Sequence, residues 1–224
     1  SMASDFADAP LAPLPALLPT LAPAWQRLGQ PGTWWSGAER LALAHEARAA
    51  RDCALCAQRK QALSPYSIDQ DHVATRELPT AAVDAVHRIT SDTGRLTVRF
   101  YREAVAAGLL PEQVVELTGV VALVTLGDTL ARACGATPLP LPRAVAGKPS
   151  RVRLAGARVD DAWVPMVHPD AAEGQLALMY QGSKSLTGIV FNVMRALSAV
   201  PEESFGFFSP FLVSYQMVGE LPDE

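Results

Sequence analysis

Ser36-Gly37-Ala38-Glu39-Arg40-Leu41-Ala42-Leu43-Ala44-His45-Glu46-Ala47-Arg48-Ala49-Ala50 runs straight into Arg51-Asp52-Cys53-Ala54-Leu55-Cys56. Ser36 and Glu39 stand at the S-x-x-E spacing, where hydroxyl and carboxylate satisfy the free amides of a helix start. Strong helix formers (Ala, Leu, Glu, Arg) then dominate through Leu63. Ser64-Pro65 ends the run, because a residue before proline is pushed out of the helical region. This stretch sets the fold class as all-α.

Downstream the same signals recur. Pro79-Thr80 opens a helix over about 81–89, with Thr80 as its cap, and Ser91 to Gly94 make a turn. A helix over 95–107 ends at Gly108, and Pro111 starts the most apolar one, 112–134, closed by Gly135. Pro138, Pro140 and Pro142 form a short stiff linker. Residues 151–167 read as a small β-hairpin around Gly156 and Asp160-Asp161. Helices over 175–182 and 185–199 follow, then an aromatic cluster of Phe205, Phe207, Phe208, Phe211 and Tyr215. Upstream, Pro10, Pro13, Pro15, Pro19 and Pro23 mark residues 1–35 as an extended arm suited to wrapping a neighbour. The expected organisation is therefore an arm (1–35), a helical core (36–135), and a linker and extension (136–224) packed on the core or on another subunit.

Composition removes several function classes. The 224 residues are 49% hydrophobic and 19% charged, too apolar for intrinsic disorder. Lys and Arg number 19 against 23 Asp and Glu, a net charge of −4, so no bulk basic field invites nucleic acid. Leu117 to Leu126 is the longest strongly apolar run, about half the roughly 20 residues a membrane-spanning helix needs. Three cysteines are an odd count that argues against a secreted disulfide framework. A cytoplasmic protein without membrane or nucleic-acid partners is expected.

Chemistry concentrates at Asp52-Cys53-Ala54-Leu55-Cys56. A C-x-x-C pair at a helix start brings two sulfurs within disulfide reach, and helix amides stabilise a thiolate there. With Asp52 capping a restarted helix, Cys53 is the exposed first-turn thiol and Cys56 lies one turn inward. Cys53 is then the attacking thiolate and Cys56 the resolving one, or the reverse. Two small buried hydrophobes on an Ala-rich helix are the bland alternative. A zinc site needs two further ligands; no second C-x-x-C exists, and His45, His72, His87 and His168 have no H-x-x-x-H spacing, so no metal and no cofactor is expected. Glu39, Glu46, Cys53 and Lys60 recur every seven residues, which places Glu46 near the thiols if the helix is continuous. A break at Arg51-Asp52 spoils that geometry.

Glu39-Arg40-Leu41-Ala42 leading to Cys53-Ala54-Leu55-Cys56 resembles the core helix pair of the AhpD-like/carboxymuconolactone decarboxylase superfamily. Ala85-Val86-His87-Arg88-Ile89-Thr90-Ser91-Asp92 and Val115-Glu116-Leu117-Thr118-Gly119-Val120-Val121 resemble its alkylhydroperoxidase-related branch, and so does Asn192-Val193-Met194-Arg195-Ala196-Leu197-Ser198. The resemblance implies an AhpD-like helical bundle, usually trimeric or hexameric. It also implies a C-x-x-C disulfide that cycles with hydroperoxide or a dithiol partner while glutamate and histidine relay protons. This chain departs from the pattern at both relay positions, which are Leu41 and Lys60 here. Replacement relay groups are Glu46, His87, which titrates near neutral pH, and Glu116, which opens the most apolar helix. Cys134, beside Gly135, reads as structural.

The leading expectation is a homo-oligomeric thiol-dependent peroxidase or dithiol–disulfide oxidoreductase. Its catalytic residues are Cys53, Cys56, Glu46 and His87, its substrate is a hydroperoxide, and its reductant is a dithiol. The alternative is a non-redox protein of the same fold that binds a small molecule or partner. Lactone ring-opening or decarboxylation lacks a nameable base.

Overall fold

The computed structural model describes residues 1–13, 17–159 and 162–203; the aromatic cluster from Phe205 to Tyr215 and the Asp160-Asp161 pair lie outside them. Among the described residues the chain is helical apart from one two-stranded ribbon. The elements are α1 (Leu18–Arg27), α2 (Gly37–Ala49), α3 (Ala54–Gln61), α4 (Thr80–Ser91), α5 (Val98–Ala106) and α6 (Pro111–Cys134). After them come β1 (Ala157–Arg158), β2 (Met166–Val167), α7 (Gly174–Thr187) and α8 (Asn192–Ala196).

The centre is the mutual packing of α2, α4 and α6. Leu43, Ala44 and Ala47 of α2 meet Ala85, Val86 and Ile89 of α4 and Leu117, Val120, Val121 and Val124 of α6 in one buried cluster. Small residues on α2 let its axis approach its neighbours closely, and the larger aliphatics of α6 fill the space left. The capping box holds as read: Ser36 Oγ accepts from the Glu39 amide at 3.3 Å, and Glu39 Oε2 accepts from the Ser36 amide at 2.8 Å. At the far end of α6, Gly135 takes φ +75°, the left-handed cap that glycine adopts without a Cβ penalty. The α6 helix has a mean hydropathy of 1.7 and is long enough to cross a membrane, but 56% of its apolar window is buried within the chain, as in a core helix.

Several boundaries differ from the sequence reading. The run from Ser36 to Leu63 is two helices, separated by a 3-10 turn over Ala50–Asp52. Cys53, not Asp52, is the N-cap of α3, with φ −75° and ψ 118°. The two helices expected over 175–199 fall instead at α7 and α8, and Gly188 closes α7 at φ +81°. Pro79, not Thr80, caps α4.

The N-terminal arm is also corrected, because it folds onto its own chain. Pro19 lies in the first turn of α1, where a missing N–H costs nothing, and Pro23 lies inside the same helix. Leu21, Ala24, Trp25 and Leu28 are buried in the main core. A Cβ at Gly127 would stand 2.4 Å from the Trp25 ring, so α6 needs glycine where the indole crosses it. The extension is sewn on similarly. Val145 donates to the Gly29 carbonyl at 2.7 Å and Trp34 Nε1 to the Ala199 carbonyl at 2.7 Å, while Tyr180 Oη donates to the Val167 carbonyl at 3.0 Å within the extension itself. The hairpin expected over 151–167 is present as the antiparallel pair Ala157↔Val167 and Arg158↔Met166.

Candidate thiol–histidine site

The site lies where α2 ends, α3 begins and α4 passes beneath. The 3-10 break turns the chain so that Cys53 starts α3 half-buried, while Cys56, in the first helical turn, points inward at 4% exposure. Both thiols are free, and their sulfurs lie within 4.8 Å of each other. On α4, Asp84 and His87 are three residues apart and therefore share a face. The connection between α3 and α4 brings in His72, Thr75 and Arg76.

Two histidines converge on one sulfur. Cys56 Sγ is 3.3 Å from His87 Nδ1 and 3.3 Å from His72 Nε2. The two rings stack at 4.1 Å between centroids with a 34° tilt. The opposite nitrogen of each ring meets a carboxylate: His87 Nε2 is 3.1 Å from Glu46 Oε2, and His72 Nδ1 is 3.1 Å from Asp84 Oδ1. Arg59 Nη1 also approaches His72 Nδ1, at 3.5 Å, but its short bond, 2.8 Å, is to Asp84.

Burial pushes the Glu46 carboxyl toward its neutral form, but its hydrogen bonds outweigh that and hold it below its ordinary range. The donors are the Thr75 hydroxyl and amide, His87 and the Arg76 amide. Asp84 is likewise held well below the usual carboxylate range; burial opposes ionisation, but His72, Arg88 and Arg59 together favour it. Both carboxylates are therefore anions that only accept, so each adjoining ring nitrogen carries the hydrogen. Each ring, when neutral, presents its other nitrogen, His87 Nδ1 or His72 Nε2, to Cys56 with a lone pair. Burial first, and the neighbouring His72 second, lower the His87 pKa against the opposing pull of Glu46, so the imidazole is neutral at pH 7. Burial pushes the Cys56 thiol up to about 11.

The thiols open onto a cavity of about 410 Å³ walled by Arg51, Cys53, Cys56, Lys60, Thr90 and Arg132, among others. Thr90 Oγ1 is buried in that wall and has no hydrogen-bond partner among the described residues.

The structure thus brings together all four residues singled out in the sequence, Cys53, Cys56, Glu46 and His87. It corrects how Glu46 is connected. The helix break removes the heptad alignment, and Glu46 reaches Cys56 through His87 rather than directly. Lys60 borders the cavity. Glu116 is elsewhere: buried at 0% exposure, it accepts from the Trp34 amide at 2.6 Å, with Arg40 Nε 3.8 Å away. Cys134 is buried in the main core. Asp84 is not singled out by the sequence, and His72 enters there only as one of four histidines without a metal-binding spacing. The available signal was the Asp84-x-x-His87 pair on one helix face, which points two polar side chains at the same neighbour. His72 and His87 stand beside Cys53 and Cys56, with one ligand-type atom from each of the four within 4.8 Å of the others, a convergence that the spacing of the histidines does not signal.

Searches against family models, curated proteins and solved structures give no match.

Proposed function

We propose that the chain is a thiol-dependent peroxidase or dithiol–disulfide oxidoreductase in which Cys56 attacks and Cys53 resolves. The observation that carries this reading is the buried line Cys56 Sγ–His87–Glu46, with links of 3.3 and 3.1 Å. A thiol raised to about 11 is protonated at rest, so attack requires a base already in contact with it. His87 Nδ1 is that base. Glu46 fixes the tautomer and stabilises the imidazolium that forms.

In the first step the Cys56 sulfur attacks the outer oxygen of a hydroperoxide and the O–O bond breaks. Sulfur is oxidised to sulfenic acid. The thiol proton passes through His87 to the departing alkoxide, which leaves as alcohol. In the second step the Cys53 thiol attacks the sulfenic sulfur; the S–S bond forms, the S–O bond breaks, and water leaves with the Cys53 proton. The sulfurs, within 4.8 Å, close to the roughly 2.05 Å of a disulfide. An external dithiol regenerates the pair by two exchanges. The Thr90 hydroxyl, buried in the cavity wall, is available to hold the peroxide oxygen.

This chemistry belongs in a compartment that keeps thiols reduced, and the cytoplasm is the one proposed. We also propose a homo-oligomer, supported by Leu178, Leu186, Ile189 and Val193, which are more than half exposed on the extension.

Counting free thiols in the reduced full chain before and after stoichiometric alkyl hydroperoxide tests the reading. Loss of two thiols per chain, with a Cys53–Cys56 linked peptide by mass spectrometry and Cys134 still free, is expected. An unchanged count would overturn it in favour of a non-redox binding protein.

A further inference from the structure

The four side chains that meet at Cys56 have a second chemistry, which goes beyond the peroxidase reading and does not depend on it. Each ring is fixed by a carboxylate: Glu46 holds the hydrogen on His87 Nε2, and Asp84 holds it on His72 Nδ1. The other nitrogen of each ring points at the same sulfur from 3.3 Å. One S–H hydrogen can be donated to one of them, not to both. A cation that takes a lone pair from each nitrogen and each sulfur satisfies all four at once.

We propose that Cys53, Cys56, His72 and His87 form a zinc site of the two-thiolate, two-imidazole class. Their ligand atoms all lie within 4.8 Å of one another. With Zn–S near 2.3 Å and Zn–N near 2.0–2.1 Å, a tetrahedron has ligand–ligand edges of about 3.3–3.8 Å. The two sulfur–nitrogen edges at Cys56, 3.3 Å each, lie within about 0.3 Å of the roughly 3.55 Å such an edge needs, and no pair of ligand atoms is more than 4.8 Å apart. Two thiolates neutralise a divalent cation, so the buried cluster carries no net charge. Sulfur with imidazole in a tetrahedral array selects zinc over magnesium or calcium, which prefer oxygen ligands.

The surroundings are those of a metal centre. Histidines that bind zinc donate their remaining N–H to a carboxylate, and both do so here. Asp84 is itself anchored by Arg59 at 2.8 Å and Arg88 at 2.6 Å, and Glu46 by Thr75 and Arg76. The 410 Å³ cavity beside Cys53 and Cys56 is an entry path from the surface. With four protein ligands the coordination is closed, so bound zinc masks both thiols from electrophiles.

The test uses reduced, chelator-stripped full-length protein titrated with Zn2+ against a chromophoric chelator, and with Co2+ as a spectroscopic stand-in. One Zn2+ per chain is expected. Co2+ should show a thiolate charge-transfer band and the intense visible absorption of a tetrahedral site. Asp84→Asn, which keeps all four ligands, should weaken Zn2+ about 10- to 100-fold. His72→Ala should remove the tetrahedral cobalt spectrum, while Cys134→Ser should change nothing; circular dichroism confirms that each variant is folded. Sub-stoichiometric zinc in the parent protein, or undiminished zinc and an unchanged cobalt spectrum in folded His72→Ala, would overturn the proposal. Peroxide-driven loss of two thiols in the metal-free protein reads the peroxidase function separately, so either idea can fail alone.

Discussion

Glu46 on α2 and Glu116 on α6 are both fully buried glutamates, and both suit proton relay by sequence. Their neighbourhoods separate them. Glu46 faces a neutral imidazole whose other nitrogen touches a thiol, so a charge forming on the ring has a place to be stabilised. Glu116 faces the Arg40 guanidinium, which never releases its proton, and the Trp34 amide that it holds in place. In the proposed reading a buried carboxylate is functional beside a partner that can change charge, and structural beside one that cannot.

That contrast can be broken by experiment. Replacing Cys56 by Ser should abolish disulfide formation and bring peroxide turnover down to the uncatalysed rate, measured by consumption of hydroperoxide. Glu116→Ala leaves Arg40 buried without this anion and should cost about 3–5 kcal/mol in denaturant unfolding. The thiol oxidation rate per folded molecule should be unchanged, and a loss of that rate would erase the distinction between the two glutamates. His87→Gln keeps the ring's size class and hydrogen bonding but not its titration. It should slow turnover tenfold or more, within the ~10²–10⁴ that general acid–base help supplies; Lys60→Gln should cost less. Full turnover in a folded His87→Gln protein would transfer the relay elsewhere.

The smallest effect is on stability against pH. Folding depresses the His87, Glu46 and Asp84 pKa values, so in each case the unfolded chain binds protons first as pH falls. Stability is therefore fully present above the unfolded values. It should decline below about 6.5 as unfolded His87 takes up protons, and again below about 4 as Glu46 and Asp84 do. Thermal unfolding between pH 8 and 3 should show two descending steps, and Glu46→Gln should flatten the lower one.

Helix ends were readable because their chemistry is local: Ser36 with Glu39, Pro111 at a first turn, Gly135 at a last one. The thiols, Glu46 and His87 could be nominated from residue type and spacing. His72 could not be placed, because it lies in a connection without periodicity and only the return of α4 brings it beside Cys56. A break at Arg51-Asp52 spoils the heptad reading, and the 3-10 turn over Ala50–Asp52 is that break; it starts the new helix that carries Cys56. The proline-rich arm was misjudged for a physical reason. Prolines disfavour helix interiors, yet Pro19 occupies a permissive first-turn position, and burial of Leu21, Trp25 and Leu28 outweighs the hydrogen bond lost at Pro23.

The indole of Trp25 and the bare backbone of Gly127 are 102 positions apart in the chain, 127 less 25. A ribosome adding about 5–20 residues per second needs roughly 5–20 s to cover that distance. During the interval α1 has no surface to lie on, and its tryptophan and leucines are open to any passing hydrophobic partner. A nascent chain stalled before α6 emerges should therefore be held by chaperones, and one released just beyond it should not.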